Sequence, residues 1–249
     1  MTLDHHILAL IAIVGSSLDV LGAMYLAYDL LGGEHGPLRT LTRGVTYGAL
    51  FGLGYGLGLG PVFGLLAGAA HGITLAWELS CASRGLLKPT FWFDTAMSAI
   101  RGAGFALGGA YLYGPAFGAV FGTLSMLGQV VAYRIGIRPT MDYRQSNRPH
   151  ISRAHVLTTI NRAAGYLVAG YVSSLAARHG ANALSVGLRT GLLVGLVSGV
   201  AMAFMPSIEW TADHLPARRM GVLGVVLILI GFALQSIQYW AALLDVKIV

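Results

Sequence analysis

The sequence contains very little charge. Only 10% of its 249 residues are Asp, Glu, Lys or Arg, whereas soluble domains carry about 25%. Hydrophobic residues make up 55% of the chain. A water-soluble fold of this composition would expose large apolar patches and would aggregate. The shortage of charge therefore excludes an ordinary soluble domain and predicts a chain that lies in lipid.

Cysteine and known catalytic motifs are also scarce. Cys81 is the single cysteine, which excludes an intrachain disulfide and a cysteine metal cluster. The sequence has no HExxH pair, Walker loop or paired-aspartate prenyl-diphosphate motif. It identifies no catalytic residue and no cofactor, and it leaves metal binding open. The N-terminus lacks a basic stretch and a small-residue cleavage site, so we expect no removable signal peptide.

The main feature of the sequence is a series of long apolar segments. A helical span needs about 20 apolar residues. The segments are 7–30, 43–60, 62–82, 95–113, 115–135, 155–177, 183–205 and 218–243. The second and fourth are rich in glycine and barely long enough, so a re-entrant hairpin is the alternative for each. The pattern predicts an all-α polytopic membrane bundle of about eight transmembrane segments, in one integral membrane domain over residues 1–249.

The basic residues concentrate in alternate loops. Loops 31–42, 83–94, 136–154 and 206–217 contain most of them or lead into them, whereas the turns at 60–61 and 114–115 are uncharged. By the positive-inside rule we expect these four loops in the cytoplasm. Both termini would then lie on the outer side of a plasma (inner) membrane. The net charge of +6 is thus explained by topology and lipid contact, without nucleic acid.

A sequence pattern recurs about every 60 residues. Each copy has a hydroxyl residue, two spacers, an arginine, a small residue, two more spacers and an aromatic residue. The copies start at Thr40, Ser98 and Thr159, and their arginines are Arg43, Arg101 and Arg162. Glycines spaced by four follow each copy, as in closely packed membrane helices. We predict three tandem Gly-rich helical hairpins, at about 43–82, 98–135 and 159–205.

Ionisable residues inside apolar segments are costly and are therefore candidates for function. Asp19, beside Ser16 and Ser17, lies at the centre of the first segment, and His71 lies at the centre of the third. A carboxylate and an imidazole at one depth can hold a cation or pass a proton. The alternative is a buried Asp or His that only fixes helix packing.

Further charged residues lie near the predicted cytoplasmic boundary. Glu78 follows His71 by seven residues, on roughly the same helical face, and Asp29 ends the first segment. We expect these carboxylates and Arg43, Arg101 and Arg162 to form a cytoplasmic-side charge network that gates a cavity or binds an anionic group. The alternative is that the arginines extend to the interface and only fix topology.

The function that these features favour is a membrane transporter or channel for an ion or small solute. The hairpin repeat and the membrane-depth Asp19 and His71 motivate it. A non-catalytic scaffold or assembly factor that packs through its glycine faces is the second reading. An intramembrane lipid-modifying enzyme is the third, so enzymatic activity is the less expected class. Membrane lipids, the solute, and a second copy or another membrane protein are the expected partners.

Overall fold

The structure is a computed structural model of the chain. It describes residues 2–3, 5–30, 39–83, 90–137, 153–178, 180–214, 217–244 and 247–248. The helices are α1 (His5–Leu30), α2 (Arg39–Leu59), α3 (Pro61–Ser83), α4 (Phe91–Tyr113), α5 (Pro115–Arg134), α6 (Arg153–Ala176), α7 (Ala183–His214) and α8 (Ala217–Leu243). The predicted all-helical class is confirmed in the described part of the chain, apart from the short strands β1 (Thr2–Leu3) and β2 (Lys247–Ile248).

Five of the described helices are long and apolar enough to cross a membrane. These spans are Ile7–Leu30, Pro61–Ala82, Pro115–Arg134, Ala183–Ile208 and Arg219–Ala241. Length and composition therefore indicate a membrane protein, as the sequence predicts. The two segments for which a re-entrant hairpin is the alternative form the uninterrupted helices α2 and α4, of 21 and 23 residues.

The helices extend further into the predicted loops than the apolar segments indicate. The hydroxyl of Thr90 accepts a hydrogen bond from the Phe93 amide at 3.2 Å, so α4 begins within the predicted loop 83–94. Helix α7 continues nine residues past its predicted end, through Pro206. Proline is tolerated inside membrane helices because neighbouring groups satisfy the freed carbonyl. The prediction of a loop over 206–217 is wrong for residues 206–214.

Tight turns join α2 to α3 and α4 to α5. Gly60 and Gly114 have φ values of 99° and 91°, a conformation that favours glycine. A proline follows each of them at the first helical position, where its missing amide costs no hydrogen bond. The pairs Gly60–Pro61 and Gly114–Pro115 therefore have a direct structural role.

The chain divides into two compact units, and the first comprises Met1–Val45 and His214–Val249. Within it α1 and α8 run antiparallel, with Gly15 facing Gly231 and Gly22 facing Gly224. A methyl group at any of the four would meet the backbone of the other helix. Strands β1 and β2 pair in parallel in the same unit. Small residues thus set the spacing of this helix pair.

The second unit, Thr46–Asp213, contains most of α2, all of α3 to α6, and α7 except for its last residue. Glycines bring α2 against α3, α4 against α5, and α6 against α7. Helix α3 also packs on α4, α5 on α6, and α7 on α2, where Val197 covers Gly54. The contacts therefore close a ring of six helices. Aromatic residues fill its centre: Tyr47, Phe51, Tyr55, Phe63, Phe105, Phe117, Phe121 and Tyr166.

Candidate functional site

Arg101 lies inside the helix ring and has an exposed fraction of 0%. Its Nε donates to Thr74 Oγ1 at 2.7 Å, and its Nη2 donates to Glu78 Oε1 at 2.7 Å. Its Nη1 donates to Tyr133 Oη at 2.7 Å and to Gln129 Oε1 at 3.3 Å. Four of the five guanidinium N–H groups are therefore used. The reading that this arginine extends to the membrane interface is wrong, because its charge is held inside the protein.

Glu78 supplies the countercharge. It is buried, and its Oε1 accepts from both Arg101 and Tyr133, the latter at 3.1 Å. Its Oε2 has no hydrogen-bond partner among the described residues. The ion pair is neutral as a unit, which lowers the cost of placing it in a low-dielectric interior.

The polar groups extend around the ring. Gln129 Nε2 on α5 donates to Tyr166 Oη on α6 at 3.5 Å. On the other side, Tyr55 Oη on α2 and Ser198 Oγ on α7 are 2.8 Å apart. Together with the groups around Arg101, these contacts mean that each of the six helices contributes a polar side chain to the interior.

His71 is fully buried on the face of α3 that also carries Thr74 and Glu78. Its ring stacks on Phe51, with 4.3 Å between the ring centroids. Its Nδ1 is 2.8 Å from the Ala67 carbonyl, which can only accept, so Nδ1 carries the hydrogen. In the neutral ring Nε2 is then an acceptor, and it has no partner among the described residues.

Arg162 on α6 contrasts with Arg101. Its side chain is 7% exposed, yet no hydrogen bond or ion pair joins it to another described residue, and its Nη1 is buried without a partner. Its charge lies within electrostatic range of Tyr133, His71 and Tyr55. The guanidinium is therefore directed toward the same interior.

Asp19 lies in the first unit, on α1. It accepts a hydrogen bond from Gln235 of α8 through Oδ2, and its Oδ1 has no partner among the described residues. The neighbouring hydroxyls do not bond to it: Ser16 donates to the Ala12 carbonyl and Ser17 to the Ile13 carbonyl. A role for the two serines as ligands beside Asp19 stays a prediction.

The remaining predicted residues lie at separate places. Asp29 on α1 lies over Gly221 of α8, and Arg43 is buried on α2. Of the predicted charged residues, the described hydrogen bonds and ion pairs bring together Glu78 and Arg101. Asp19 belongs to the first unit and His71 to the second, and a shared cation site for them stays a prediction.

Several polar residues of the interior were not predicted from the sequence. They are Thr74, Gln129, Tyr133, Tyr166, Ser198 and, in the first unit, Gln235. One signal was available: Thr74 lies three residues after His71 and four before Glu78, so the three share one helical face. Gln129 and Tyr133 are likewise four apart on α5.

The interior offers both kinds of hydrogen-bonding atom to a small polar solute or ion. His71 Nε2 and Glu78 Oε2 are acceptors without partners, and Arg162 provides donors. The described residues contain no cluster of three His, Cys, Asp or Glu side chains that would hold a metal ion. No protein-family model, curated protein or solved structure matches this chain.

Proposed function

We propose that this chain is a membrane transporter or channel for an ion or small solute, and that its pathway runs through the polar interior of the six-helix unit. The observation that carries the proposal is the buried network around Arg101 and Glu78, in a ring where every helix adds a polar group. The densely packed aromatic centre corresponds in this proposal to a closed state.

Energetics support a functional role for this network. Replacing a buried ion pair by apolar residues of similar volume is often neutral or stabilising, so packing alone does not require Arg101 and Glu78. Polar atoms without partners, such as His71 Nε2 and Glu78 Oε2, reduce stability further. Ionisable groups in membrane segments typically mark ion or solute pathways.

The proposed topology has eight crossings. Helices α2, α4 and α6 have 21, 23 and 24 residues, enough to span a hydrocarbon core of about 30 Å. The glycine contacts within α2–α3, α4–α5 and α6–α7 support three tandem hairpins. The pairing of β1 with β2 supports an even number of crossings, with both termini on the outer side of a plasma membrane.

Ion and solute flux into liposomes that contain the purified protein tests the proposal. We expect a flux that His71→Phe and the double variant Glu78→Gln/Arg101→Gln each lower at least about tenfold. The double variant removes one charge of each sign, so neither Glu78 nor Arg101 is left as a buried charge without its partner. Asp19→Asn in the same assay tests the predicted cation site of α1.

Ser125→Ala is the matched control. Ser125 is buried on α5, and among the described residues its hydroxyl bonds only to the Phe121 carbonyl of its own helix, at 2.6 Å. Its replacement should leave the flux at the wild-type level. A flux that responds to none of the interior variants, or no flux for proton, sodium, potassium, chloride and phosphate, contradicts the proposal.

A membrane scaffold or assembly factor is the second candidate. The observation in its favour is the close packing of glycine backbones and of aromatic rings, such as Phe105 with Tyr166 at 5.3 Å between centroids. A scaffold predicts a stoichiometric membrane partner after mild detergent extraction. It also predicts that the interior polar variants leave that association unchanged.

A further inference from the structure

We propose that Arg162 is the centre of an oxyanion site that binds a phosphate-type group. This inference deepens the proposed function, on which it rests for the identity of the solute. Its starting point is a guanidinium that is almost fully buried without a hydrogen bond or ion pair to any described residue. A buried charge without a partner costs several kcal/mol, so a ligand that supplies the opposite charge would bind there favourably.

The helices packed on α6 supply no countercharge. Helices α5 and α6 contain no Asp or Glu. In α7 the acidic residues are Glu209 and, four residues further on, Asp213. Gly195 of α7 faces Ala163, next to Arg162, and Glu209 lies 14 residues further along the same helix. At about 1.5 Å per residue this is roughly 20 Å away, beyond the reach of an arginine side chain.

Thr158 provides a second donor on the same face of α6. It precedes Arg162 by four residues, one helical turn. Its side chain is 6% exposed, and its Oγ1 has no partner among the described residues. Helical threonines commonly satisfy this hydroxyl with the carbonyl four residues before, and Thr158 does not do so.

The chemistry of these two donors selects the ligand class. The planar guanidinium matches two oxygens of a phosphate or carboxylate and forms short, charge-assisted hydrogen bonds with them. A hydroxyl donor adds a third contact. A cation is excluded at this position by the positive charge of Arg162. The phosphate-type group comes either from a free solute anion or from a lipid headgroup, and both share this chemistry.

The test uses the full-length protein, delipidated in a maltoside detergent that contains no phosphate. Thermal unfolding is measured against increasing inorganic phosphate and, separately, against a soluble short-chain phosphatidylglycerol. We expect a rise in the unfolding midpoint with at least one of them. Arg162→Gln and Thr158→Val should each raise the ligand concentration for half-maximal stabilisation, by about tenfold or more for Arg162→Gln.

Arg189→Gln is the control, because Arg189 is an exposed arginine on α7; it should keep the wild-type response. A response to phosphate alone identifies a free solute, and a response to the lipid alone identifies a headgroup. The inference is overturned when neither ligand stabilises the protein, or when Arg162→Gln and Thr158→Val respond like the wild type. If Arg162→Gln does not fold, the same titrations with Thr158→Val and Arg162→Lys test the inference in its place.

Different experimental results would contradict this inference and the proposed function. Arg162-dependent binding without flux in liposomes keeps the oxyanion site and removes the transporter. Flux that depends on His71 and Glu78, combined with no stabilisation by phosphate or lipid or with a stabilisation that Arg162→Gln and Thr158→Val leave unchanged, keeps the transporter and removes the oxyanion site.

Discussion

Arg101 on α4 and Arg162 on α6 hold the same place in the repeated sequence pattern, but their surroundings differ. Arg101 uses four guanidinium N–H groups and has Glu78 as its countercharge. Arg162 is buried to a similar degree without a described partner. The repeat therefore preserves the position of a positive charge and varies what neutralises it. In our proposal the paired Arg101 is part of the structure, whereas Arg162 binds a ligand.

The largest expected effect comes from removing the countercharge of Arg101. Glu78→Gln leaves the guanidinium buried without its ion pair, and we expect a loss of roughly 3–5 kcal/mol in the free energy of unfolding. Denaturation in detergent, followed by circular dichroism, measures it. The double variant Glu78→Gln/Arg101→Met should recover most of this loss. An undiminished stability of the single variant would show that the pair is not buried as described.

A smaller loss is expected from Tyr133→Phe. The phenolic hydroxyl accepts from Arg101 at 2.7 Å and donates to Glu78 at 3.1 Å. Hydrogen bonds to charged groups contribute about 1.5–3 kcal/mol each, so the free energy of unfolding should fall by about that amount. Tyr111→Phe on α4, where the tyrosine is exposed, should have almost no effect. Equal effects of the two variants would contradict the assigned network.

Removal of Arg162, which has no described partner, should raise the free energy of unfolding instead of lowering it. In phosphate-free detergent, Arg162→Leu eliminates a buried charge that has no described partner, and we expect the free energy of unfolding to rise by about 1–2 kcal/mol. The exposed Arg189, replaced by Leu, serves as the control and should stay near the wild-type value. Marked destabilisation by Arg162→Leu would mean that Arg162 has a partner inside the protein after all.

The smallest effect is expected at another buried group with an unsatisfied atom, His71. Phenylalanine keeps the stacking on Phe51 and removes an acceptor that has no described partner. The lost contact with the Ala67 carbonyl costs little, because that carbonyl keeps its helical hydrogen bond. We expect His71→Phe to change the free energy of unfolding by less than about 1 kcal/mol. His71→Ala, which opens a cavity, should cost more.

The sequence predicts charge positions better than it predicts their neutral partners. Glu78 and Arg101 are evident because an ionised side chain in an apolar run requires an explanation. Gln129 and Tyr133 are neutral residues in a similar run. Their spacing of four places them on one helical face, but it does not show whether that face lies toward the interior or toward lipid. Whether an arginine is paired depends on which helices pack together, and this explains why the three repeated arginines read alike in the sequence.

Helix ends and contacts between residues far apart in the sequence are also difficult to predict from local sequence patterns. The extension of α7 through Pro206 contradicts a strong local helix-breaking signal. A helix can continue through a proline where neighbouring groups satisfy the carbonyl that the proline frees. The partner of Asp19 is Gln235, 216 residues away. No local spacing rule can connect residues so far apart, although Asp19 itself is conspicuous.

The separations along the chain have a consequence for biosynthesis. Glu78 and Arg101 are 23 residues apart, so the acid meets its base as soon as the next helix leaves the insertion machinery. Gln235 is synthesised 216 residues after Asp19. Until then the aspartate has no partner on the last helix, and a lone aspartate at the centre of an inserting helix costs about 2.5–3.5 kcal/mol. Ribosomes stalled before the last helix should therefore carry a first helix that is held less firmly in the bilayer than the helices that follow it.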